Sequence, residues 1–535
     1  MLLASVAGVA LLLLPLAALL LLPLVEGGLE EAATALGRES GGPVRNSLVF
    51  AFGSASLAGL VGSVAAGLVA WTDMPGRRIV TALAILPLFF PGLIYAFGWV
   101  LLASPNAGMI NQIAIAPSLD VFSLGGMIWV EGHHAVPLVF LLSLGVFRAV
   151  PEDAVHMARL AGAKGTAVFR RIVLPLVMPA LAAAFALVFV RTLGSFEVPA
   201  ILGTPAGITL ISTYIYFTLQ RGLDDLTAIA GFAASVMLFS IVLLWLARRF
   251  GSSVEGWRRE NARRPALFRL GRHRIGVAVA AIVWLGIASV APLYALAMRS
   301  LTRTLEAQTF WRPWEGAAQW SATNYTEVLG DPAIWSASLH AVLWAAMAAM
   351  ILMSLAVTLV WASRRRTSPL ARQVIAVSHV VFSLPGVIIG LAILVSYGTV
   401  TRNGGVLIAI AYCLRGLPYA LVYADRAVGM VADRLWSAAR MTGAARAVTL
   451  WRVLLPLAGP LVLAGMAYVF AISIREVSAS VLLYRPGQEV VSVYLWQFWQ
   501  DGELGRFAAL STCLAIATTA LLLPAHRMLS HRVSG

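Results

Sequence analysis

Charged residues are scarce in this chain of 535 residues. Asp, Glu, Lys and Arg make up 12% of the sequence, whereas hydrophobic residues make up 60% and the mean hydropathy is +0.85. Soluble globular domains carry about 25% charged and 45–50% apolar residues. The composition therefore excludes a large soluble protein and an intrinsically disordered one, and it indicates a membrane protein.

Lysine and cysteine are rarer still. Of the 39 basic residues only Lys164 is a lysine, and it follows Ala163 and precedes Gly165. A phosphate-binding loop needs Gly-Lys followed by Ser or Thr, so an ATPase site within the chain is excluded. The two cysteines, Cys413 and Cys513, lie in apolar runs and supply neither a disulfide framework nor the ligand pattern of a metal site.

Long apolar runs dominate the chain. Each has about the 20 residues that an α-helix needs to cross roughly 30 Å of hydrocarbon. The runs are continuous rather than alternating, which excludes the strands of a transmembrane barrel. We predict an all-α polytopic membrane protein with about twelve transmembrane helices, at residues 2–25, 46–71, 79–102, 125–147, 172–190, 226–247, 275–298, 336–361, 373–397, 405–424, 453–474 and 507–525.

Basic residues are concentrated in alternate loops between these runs. One set of loops carries 27 of the 39 Arg and Lys residues, at 73–78, 148–171, 248–274, 364–372, 426–452 and 526–535. Cytoplasmic loops carry the excess of positive charge in membrane proteins, so we predict that these loops and both chain termini are cytoplasmic. The net charge of +15 thus favours contact with the lipid bilayer, and we expect no nucleic-acid partner.

The chain contains an internal repeat. Upstream of the strongest region, Pro91-Gly92 corresponds to Pro385-Gly386. We predict two homologous six-helix halves, residues 1–250 and 275–535, joined by a basic cytoplasmic linker at 251–274, with a pathway between the halves. A shift of 281 positions superposes Pro137 on Pro418, Ala158 on Ala439, Arg159 on Arg440, Gly162 on Gly443, Ala163 on Ala444, Arg171 on Arg452, Pro175 on Pro456 and Pro179 on Pro460.

The repeat is strongest in two cytoplasmic loops, residues 150–175 and 433–456. In each loop, small residues and an Arg precede a glycine, nine further residues and an aliphatic-x-Leu-Pro sequence. We expect Gly162 and Gly443 to end a short helix with φ > 0, and the proline to lie in the first turn of the next membrane helix. An interfacial helix that only anchors to lipid would not need this fixed spacing.

The loop pattern resembles a known signature. Small residues, Gly, nine residues and Ile/Val-x-Leu-Pro are written EAA-x3-G-x9-I-x-L-P in the permease subunits of binding-protein-dependent ABC importers. Both copies match it in register, but His156 and Ser437 occupy the acidic position and Met157 replaces the first alanine. Residues 194–207 and 474–487 look most like the fused two-half permeases of ferric-iron importers.

The resemblance implies the type I ABC importer permease fold in a bacterial cytoplasmic (inner) membrane. It implies that each loop is a coupling helix seated on one of two copies of an ABC ATPase, which binds ATP and Mg²⁺, and that this chain holds no cofactor. A periplasmic or surface-anchored solute-binding protein is the other implied partner. The residues implied to face the ATPase are His156, Ala158, Arg159, Gly162, Ala163 and Pro175 in the first loop, and Ser437, Ala438, Ala439, Arg440, Gly443, Ala444 and Pro456 in the second.

Polar residues inside the fourth span are candidates for the pathway, because they are costly in lipid. Glu131, His133 and His134 lie early in that span, and His134 corresponds to Arg415 at the 281 shift. They lack the further His or carboxylate partners that a metal site requires. Structural pairing and lining of the pathway remain the two interpretations.

Glu197 and Glu476 occur in matching contexts at the outer ends of the fifth and eleventh spans. They could face the pathway, dock a binding protein, or form interfacial ion pairs, Glu476 with Arg475 or a neighbour.

We therefore expect a permease subunit that carries ferric iron inward, driven by ATP hydrolysis on partner chains, and that is not itself an enzyme. One alternative is an importer of the same class for thiamine, polyamines or phosphonates. Another is a secondary transporter coupled to protons or sodium, which the few ionisable residues at the span centres disfavour. Acidic residues outnumber basic ones in the predicted outer loops, which is consistent with a cationic solute or with a basic binding protein.

Overall fold

The chain is helical throughout the part that the structure describes. The computed structural model describes residues 2–25, 41–112, 119–222, 226–251, 268–314, 320–364, 368–430, 441–442, 446–449, 452 and 455–533. Within these ranges, β-pairing is limited to two isolated bridges, between Thr72 and Phe268 and between Thr302 and Trp320. The predicted all-α fold is confirmed.

In the described part of the chain, ten helices precede the basic linker. They are α1 (Leu2–Val25), α2 (Gly41–Trp71), α3 (Arg77–Ile85), α4 (Gly92–Ala103), α5 (Leu124–Ala149), α6 (Glu152–Leu160), α7 (Gly165–Val168), α8 (Leu174–Leu193), α9 (Ile211–Arg221) and α10 (Leu226–Gly251). A 3₁₀ turn covers Leu86–Phe89, and π-helical turns cover Phe169–Val173 and Pro199–Gly203.

The described helices after the linker repeat this order with additional short elements. They are α11 (Arg274–Ser289), α12 (Ala291–Ser300), α13 (Ala307–Trp311), α14 (Thr323–Gly330), α15 (Pro332–Arg364), α16 (Pro369–Ser378), α17 (Gly386–Tyr397), α18 (Gly404–Met430), α19 (Arg446–Thr449), α20 (Leu455–Ile474), α21 (Ser480–Leu483), α22 (Val491–Gln500) and α23 (Leu504–Val533). Short 3₁₀ turns cover Gly271–His273 and His379–Ser383.

All twelve predicted spans fall on helices. Among the described residues, eight helical stretches are long and apolar enough to cross a membrane, namely α1, α2, α5, α7 with α8, α11 with α12, α15, α18 and α20. The other four predicted spans correspond to α3 with α4, α10, α16 with α17, and α23, whose apolar segments are bent or shorter.

The third and ninth predicted spans are broken, and the prediction of continuous helices there was wrong. The axis turns by 108° between the α3 segment and α4. Phe90 and Leu384 precede the prolines and have extended backbones, with ψ of 136° and 132°. A proline ring disfavours the α conformation of the residue before it. Pro91 and Pro385 therefore end one helix and each caps a second helix of 12 residues.

The first helices of the two halves pack across the molecule. α1 packs against α15 and α17 of the second half, and α12 packs against α4 of the first half. The Tyr397 hydroxyl donates to the carbonyl of Leu11 at 2.9 Å, and the Tyr95 hydroxyl donates to that of Ala288 at 2.6 Å. The halves are therefore interlocked, and each 12-residue helix after a break contacts the other half.

Candidate functional site

Charged side chains gather where the two halves meet, beside the breaks before α4 and α17. Each half contributes three, and Glu197 is within electrostatic range of four of the others. Within the described residues, no group of three or more His, Cys, Asp or Glu side chains could hold a metal ion. We call the six the central polar cluster: Glu131, His134, Glu197, Arg415, Arg475 and Glu476.

A carboxylate lies at the start of each 12-residue helix. In the first half, Glu197 Oε2 accepts the Leu93 N–H at 2.9 Å. In the second half, Glu476 Oε1 lies 3.0 Å from where a Cβ on Gly386 would be, and it accepts the Ala479 N–H at 2.9 Å. The free N–H groups of a helix N-terminus carry partial positive charge, which favours an anion there. The sequence placed the two carboxylates at outer span ends, whereas the fold brings them back to the breaks.

His134 and Arg415, which are equivalent in the repeat, each reach the break of their own half. His134 Nε2 is 3.1 Å from the carbonyl oxygen of Phe90. Arg415 Nε is 2.6 Å from Glu476 Oε2, and this carboxylate is 2% exposed. The ion pair of Glu476 is therefore with Arg415 and not with the adjacent Arg475.

Contacts between the halves are made at the same breaks. Arg475 Nη1 donates to the carbonyl of Leu88 at 3.1 Å, and so it reaches from the second half into the first. Gly194 lies in the corresponding loop after α8, and a Cβ on it would lie 2.8 Å from Cα of Pro385. The loop after α8 or α20 thus contacts the break of the opposite half in both directions.

Three aromatic side chains, which we call the axial aromatic triad, pack together where the two halves meet. Trp496 Nε1 donates to the Tyr216 hydroxyl at 3.0 Å, and the Phe196 ring lies 5.1 Å from Tyr216 and 5.6 Å from Trp496. All three are at most 4% exposed. Tyr216 and Trp496 are 280 positions apart, and each is the sixth residue of its helix, α9 or α22, so they are equivalent in the repeat at this point of the chain. Equivalent residues that contact each other must lie close to the pseudo-twofold axis.

The first cytoplasmic loop has the predicted helix end. Ala163 N–H donates to Ala158 O at 3.0 Å, Gly162 N–H donates to Arg159 O at 2.9 Å, and Gly162 has φ of +83°. These are the two bonds of a Schellman motif with glycine in the left-handed conformation, so the prediction for Gly162 is confirmed. His156 and Arg159 are exposed, whereas Ala158 and Ala163 are half-buried.

Pro175 lies in the first turn of α8, as predicted. The helix does not begin there, however, because α7 and a π-helical turn precede it without a gap. In that turn the Leu174 N–H donates to Phe169 O. Pro175 has no N–H, so its position near a widened turn leaves the helix unbroken.

Most of the second cytoplasmic loop lies outside the described residues. This applies to Ser437, Ala438, Ala439, Arg440, Gly443 and Ala444, whose predicted role stays a prediction. Pro456 is the second residue of α20 and is exposed.

Each loop presents an aliphatic side chain to solvent at the same place. Leu160 in the first loop and Met441 in the second are both 83% exposed. The 281 shift superposes them. Isolated exposed apolar residues are ordinary, and these two occupy equivalent positions in the repeat.

Sequence reasoning missed Arg475 and the axial aromatic triad as parts of the site. The near-equivalence of Tyr216 and Trp496 was a signal that could have found them. His133 is not part of the central polar cluster and packs against tryptophan rings, 4.2 Å from Trp129 and 5.9 Å from Trp284. Ionisable side chains lie between the halves at the two breaks. The small number of ionisable residues at the span centres is therefore no longer an argument against a secondary transporter.

Comparison with known proteins decides the class. The family described as "binding-protein-dependent transport system inner membrane component" matches residues 58–256 and again residues 354–533. The chain belongs to this family. The family therefore matches twice along the chain, as expected for a fused permease with two copies of the fold.

The names of this permease's relatives refer to different solutes. The ferric transport system permease protein FbpB of Actinobacillus pleuropneumoniae is 21% identical over 82% of this chain and 64% of its own length. The thiamine transport system permease protein ThiP of Brucella abortus is 26% identical over 36% of each chain. The maltose/maltodextrin transport system permease protein MalF of Vibrio vulnificus is 30% identical over 32% of this chain and 36% of its own. This permease spans just under two thirds of the length of the ferric relative.

Proposed function

We propose that this permease is the transmembrane subunit of an ATP-driven importer whose two cytoplasmic loops bind two copies of a separate ABC ATPase. The observation that carries the proposal is the exposure of Leu160 and Met441 at equivalent positions. Burying a leucine or methionine side chain is worth about 1.5–3 kcal/mol relative to leaving it in water. Two such side chains on two equivalent loops favour a partner that is present twice.

The test replaces these two residues. Leu160→Ser and Met441→Ser should each weaken association with the ATPase about 10-fold or more, because each removes one buried aliphatic contact. Val400→Ser is the matched control, since Val400 is 78% exposed and lies outside both loops. Association is measured with purified membrane complex and labelled ATPase. Unchanged binding in the Leu160→Ser, Met441→Ser double variant would contradict the proposal.

The breaks support a rocking mechanism. Closure of the ATPase pair on ATP would draw the two loops together, and the interlocked halves would pivot at Pro91 and Pro385. In the structure Trp496 and Tyr216 are in contact on the axis, so we assign it to the state that is closed toward the outside. Opening to the binding protein requires this contact to separate.

The solute is proposed to be ferric iron, delivered by a solute-binding protein. Glu197 supports a cation, because no ion-pair partner lies within 4 Å of it among the described side chains, whereas Glu476 is neutralised by Arg415. The likeness to a ferric transport permease supports the same choice. Thiamine, polyamines and phosphonates are the alternatives within this class.

Reconstituted complex with its binding protein decides the solute. ATP hydrolysis is measured with ferric iron, thiamine, spermidine and aminoethylphosphonate in turn. We expect stimulation by iron alone. Stimulation by thiamine alone or by the phosphonate alone would contradict the proposal that the solute is ferric iron.

The proposed assembly is one copy of this permease with two copies of the ATPase, which alone binds ATP and Mg²⁺. The native mass of the purified complex measures this ratio directly. A complex with two permease chains would refute it. The proposed topology places both chain termini in the cytoplasm, with halves at 1–250 and 275–535, and reporter fusions at each terminus test that placement.

A further inference from the structure

The end of the basic linker contacts the first coupling loop. Residues 252–267 lie outside the described part of the chain, and the description resumes at Phe268. The Phe268 N–H donates to the carbonyl of Trp71 at 2.8 Å, at the end of α2. Two residues on, the Leu270 N–H donates to Asp73 Oδ1, also at 2.8 Å. The linker end is therefore fixed along the cytoplasmic end of α2 by two backbone N–H groups.

Electrostatics agree with this attachment. The hydrogen bond from Leu270 lowers the pKa of Asp73 below its usual range, since the bond favours the charged carboxylate. The carboxylate therefore remains ionised and available as an acceptor at neutral pH.

The Phe268 ring is inserted between α2 and the loop. It lies 6.4 Å from the Trp71 ring and 6.4 Å from the Phe169 ring, both in edge-to-face orientation. The guanidinium carbon of Arg159 lies 5.4 Å from the centre of the same ring. A Cβ on Gly165 would be 3.7 Å from it, so the ring approaches the loop closely on that side. Phe268 thus contacts the loop on both sides of Gly162, at Arg159 of α6 and at Gly165.

An apolar cluster continues these contacts into the second half. Ala158 and Ala163 of the loop pack in the same cluster as Phe268, together with Ala278 and Ile282 of α11. Arg159 and Ala158 are residues for which the sequence implies contact with the ATPase. The linker end and the first helix of the other half therefore both pack against the loop.

We propose that Phe268 is a positioning residue that holds the first coupling loop in the orientation its ATPase contact requires. The inference rests on the proposed function of that loop. Phe268 lies against Arg159 and Gly165 of the first loop, whereas Leu160 is 83% exposed. Among the described residues of the two loops, these contacts of Phe268 are with the first. Removal of its ring should therefore loosen the first ATPase contact and leave the second unchanged.

The experiment compares two equivalent positions within one complex. The photo-crosslinking residue p-benzoylphenylalanine replaces Leu160 in one preparation and Met441 in another, and the yield of crosslink to the ATPase is measured for each. Phe268→Ala should lower the yield from position 160 at least about threefold and leave that from position 441 unchanged. Phe268→Tyr should restore the yield, because it keeps the ring.

Phe185→Ala is the matched control. Phe185 is a half-buried phenylalanine of the first half with two ring neighbours, at 5.7 and 6.3 Å, and it lies in the middle of α8. It should leave the ratio of the two yields unchanged. A second readout is solute-stimulated ATP hydrolysis, in which Phe268→Ala should lower kcat and leave the KM for ATP unaltered.

The outcomes separate the two proposals. An unchanged ratio of yields in Phe268→Ala would overturn the positioning role, and so would an equal fall at both positions, which reports general loss of fold. If neither position crosslinks to the ATPase in the chain with native Phe268, the assignment of the coupling loops fails instead.

Discussion

Trp496 provides the sharpest test of the closed outer side. Trp496→Ala removes its hydrogen bond to Tyr216, worth about 1 kcal/mol, and its ring contacts with Tyr216 and Phe196, worth about 0.5–1.5 kcal/mol each. The closed state should therefore lose about 2–4 kcal/mol relative to an open one, in which these contacts are absent. Every 1.4 kcal/mol is a factor of ten in the equilibrium.

The assay is basal ATP hydrolysis by the reconstituted complex without binding protein. If hydrolysis requires opening toward the outside, a larger open population raises the basal rate. We expect an increase of at least about 10-fold for Trp496→Ala. Trp496→Phe removes the indole N–H together with part of the ring contact, and Tyr216→Phe removes the hydroxyl and keeps the ring, so each should raise the rate by at least about fivefold.

Trp335→Phe is the matched control for these variants. Its indole N–H donates to the carbonyl of Leu329 at 2.7 Å, but its side chain is 60% exposed and lies away from the axis. The basal rate should stay unchanged. A basal rate in Trp496→Ala equal to that of the native chain, with the complex intact, would refute the gate. An equal increase in Trp335→Phe would show that the effect is not specific to the axis.

Three further predictions concern the breaks and the loop. Gly92→Ala should cost about 1–3 kcal/mol by overpacking, because the nearest atoms to its new Cβ all belong to Glu197; adding Glu197→Ala should recover part of that cost, and strict additivity in thermal unfolding would contradict the geometry. Gly162→Val should cost about 1–3 kcal/mol through backbone strain at φ of +83° and weaken ATPase association while membrane insertion persists; normal association would refute it. Glu476→Gln should cost about 1–3 kcal/mol, less than a fully buried pair because its arginine partner is 36% exposed. The control is the exposed ion pair between Arg364 and Asp425, 2.8 Å apart, for which Asp425→Asn should cost at most about 1 kcal/mol.

The coupling loop shows how far local reasoning reaches. The Gly162 helix end and the position of Pro175 followed from spacing, because capping and proline chemistry act within a few residues. Pro91 itself could have predicted the break, but the long apolar run around it led to the prediction of one helix. Length and hydropathy outweighed the proline in that prediction, although the proline restricts the backbone before it.

The central polar cluster was only partly predictable. His134, Glu197, Arg415 and Glu476 were identified as candidates from polarity and the repeat. Their arrangement depends on which helix ends meet. Glu476 forms its ion pair with Arg415 on α18 and not with the adjacent Arg475. Sequence adjacency does not report contacts between helices that are distant in the chain.

The sequence by itself determined that this is an all-α membrane protein with two copies of one fold, because lipid requires long apolar helices and a duplication leaves matched residues. It also determined the permease family, through a motif whose spacing is fixed by a helix end and a proline. Only the tertiary structure decided that the first helices pack on the opposite halves, that carboxylates lie at helix N-termini between the halves, and that Tyr216 meets Trp496 on the axis. These features depend on packing between segments about 100 to 400 residues apart, for which local periodicity carries no signal.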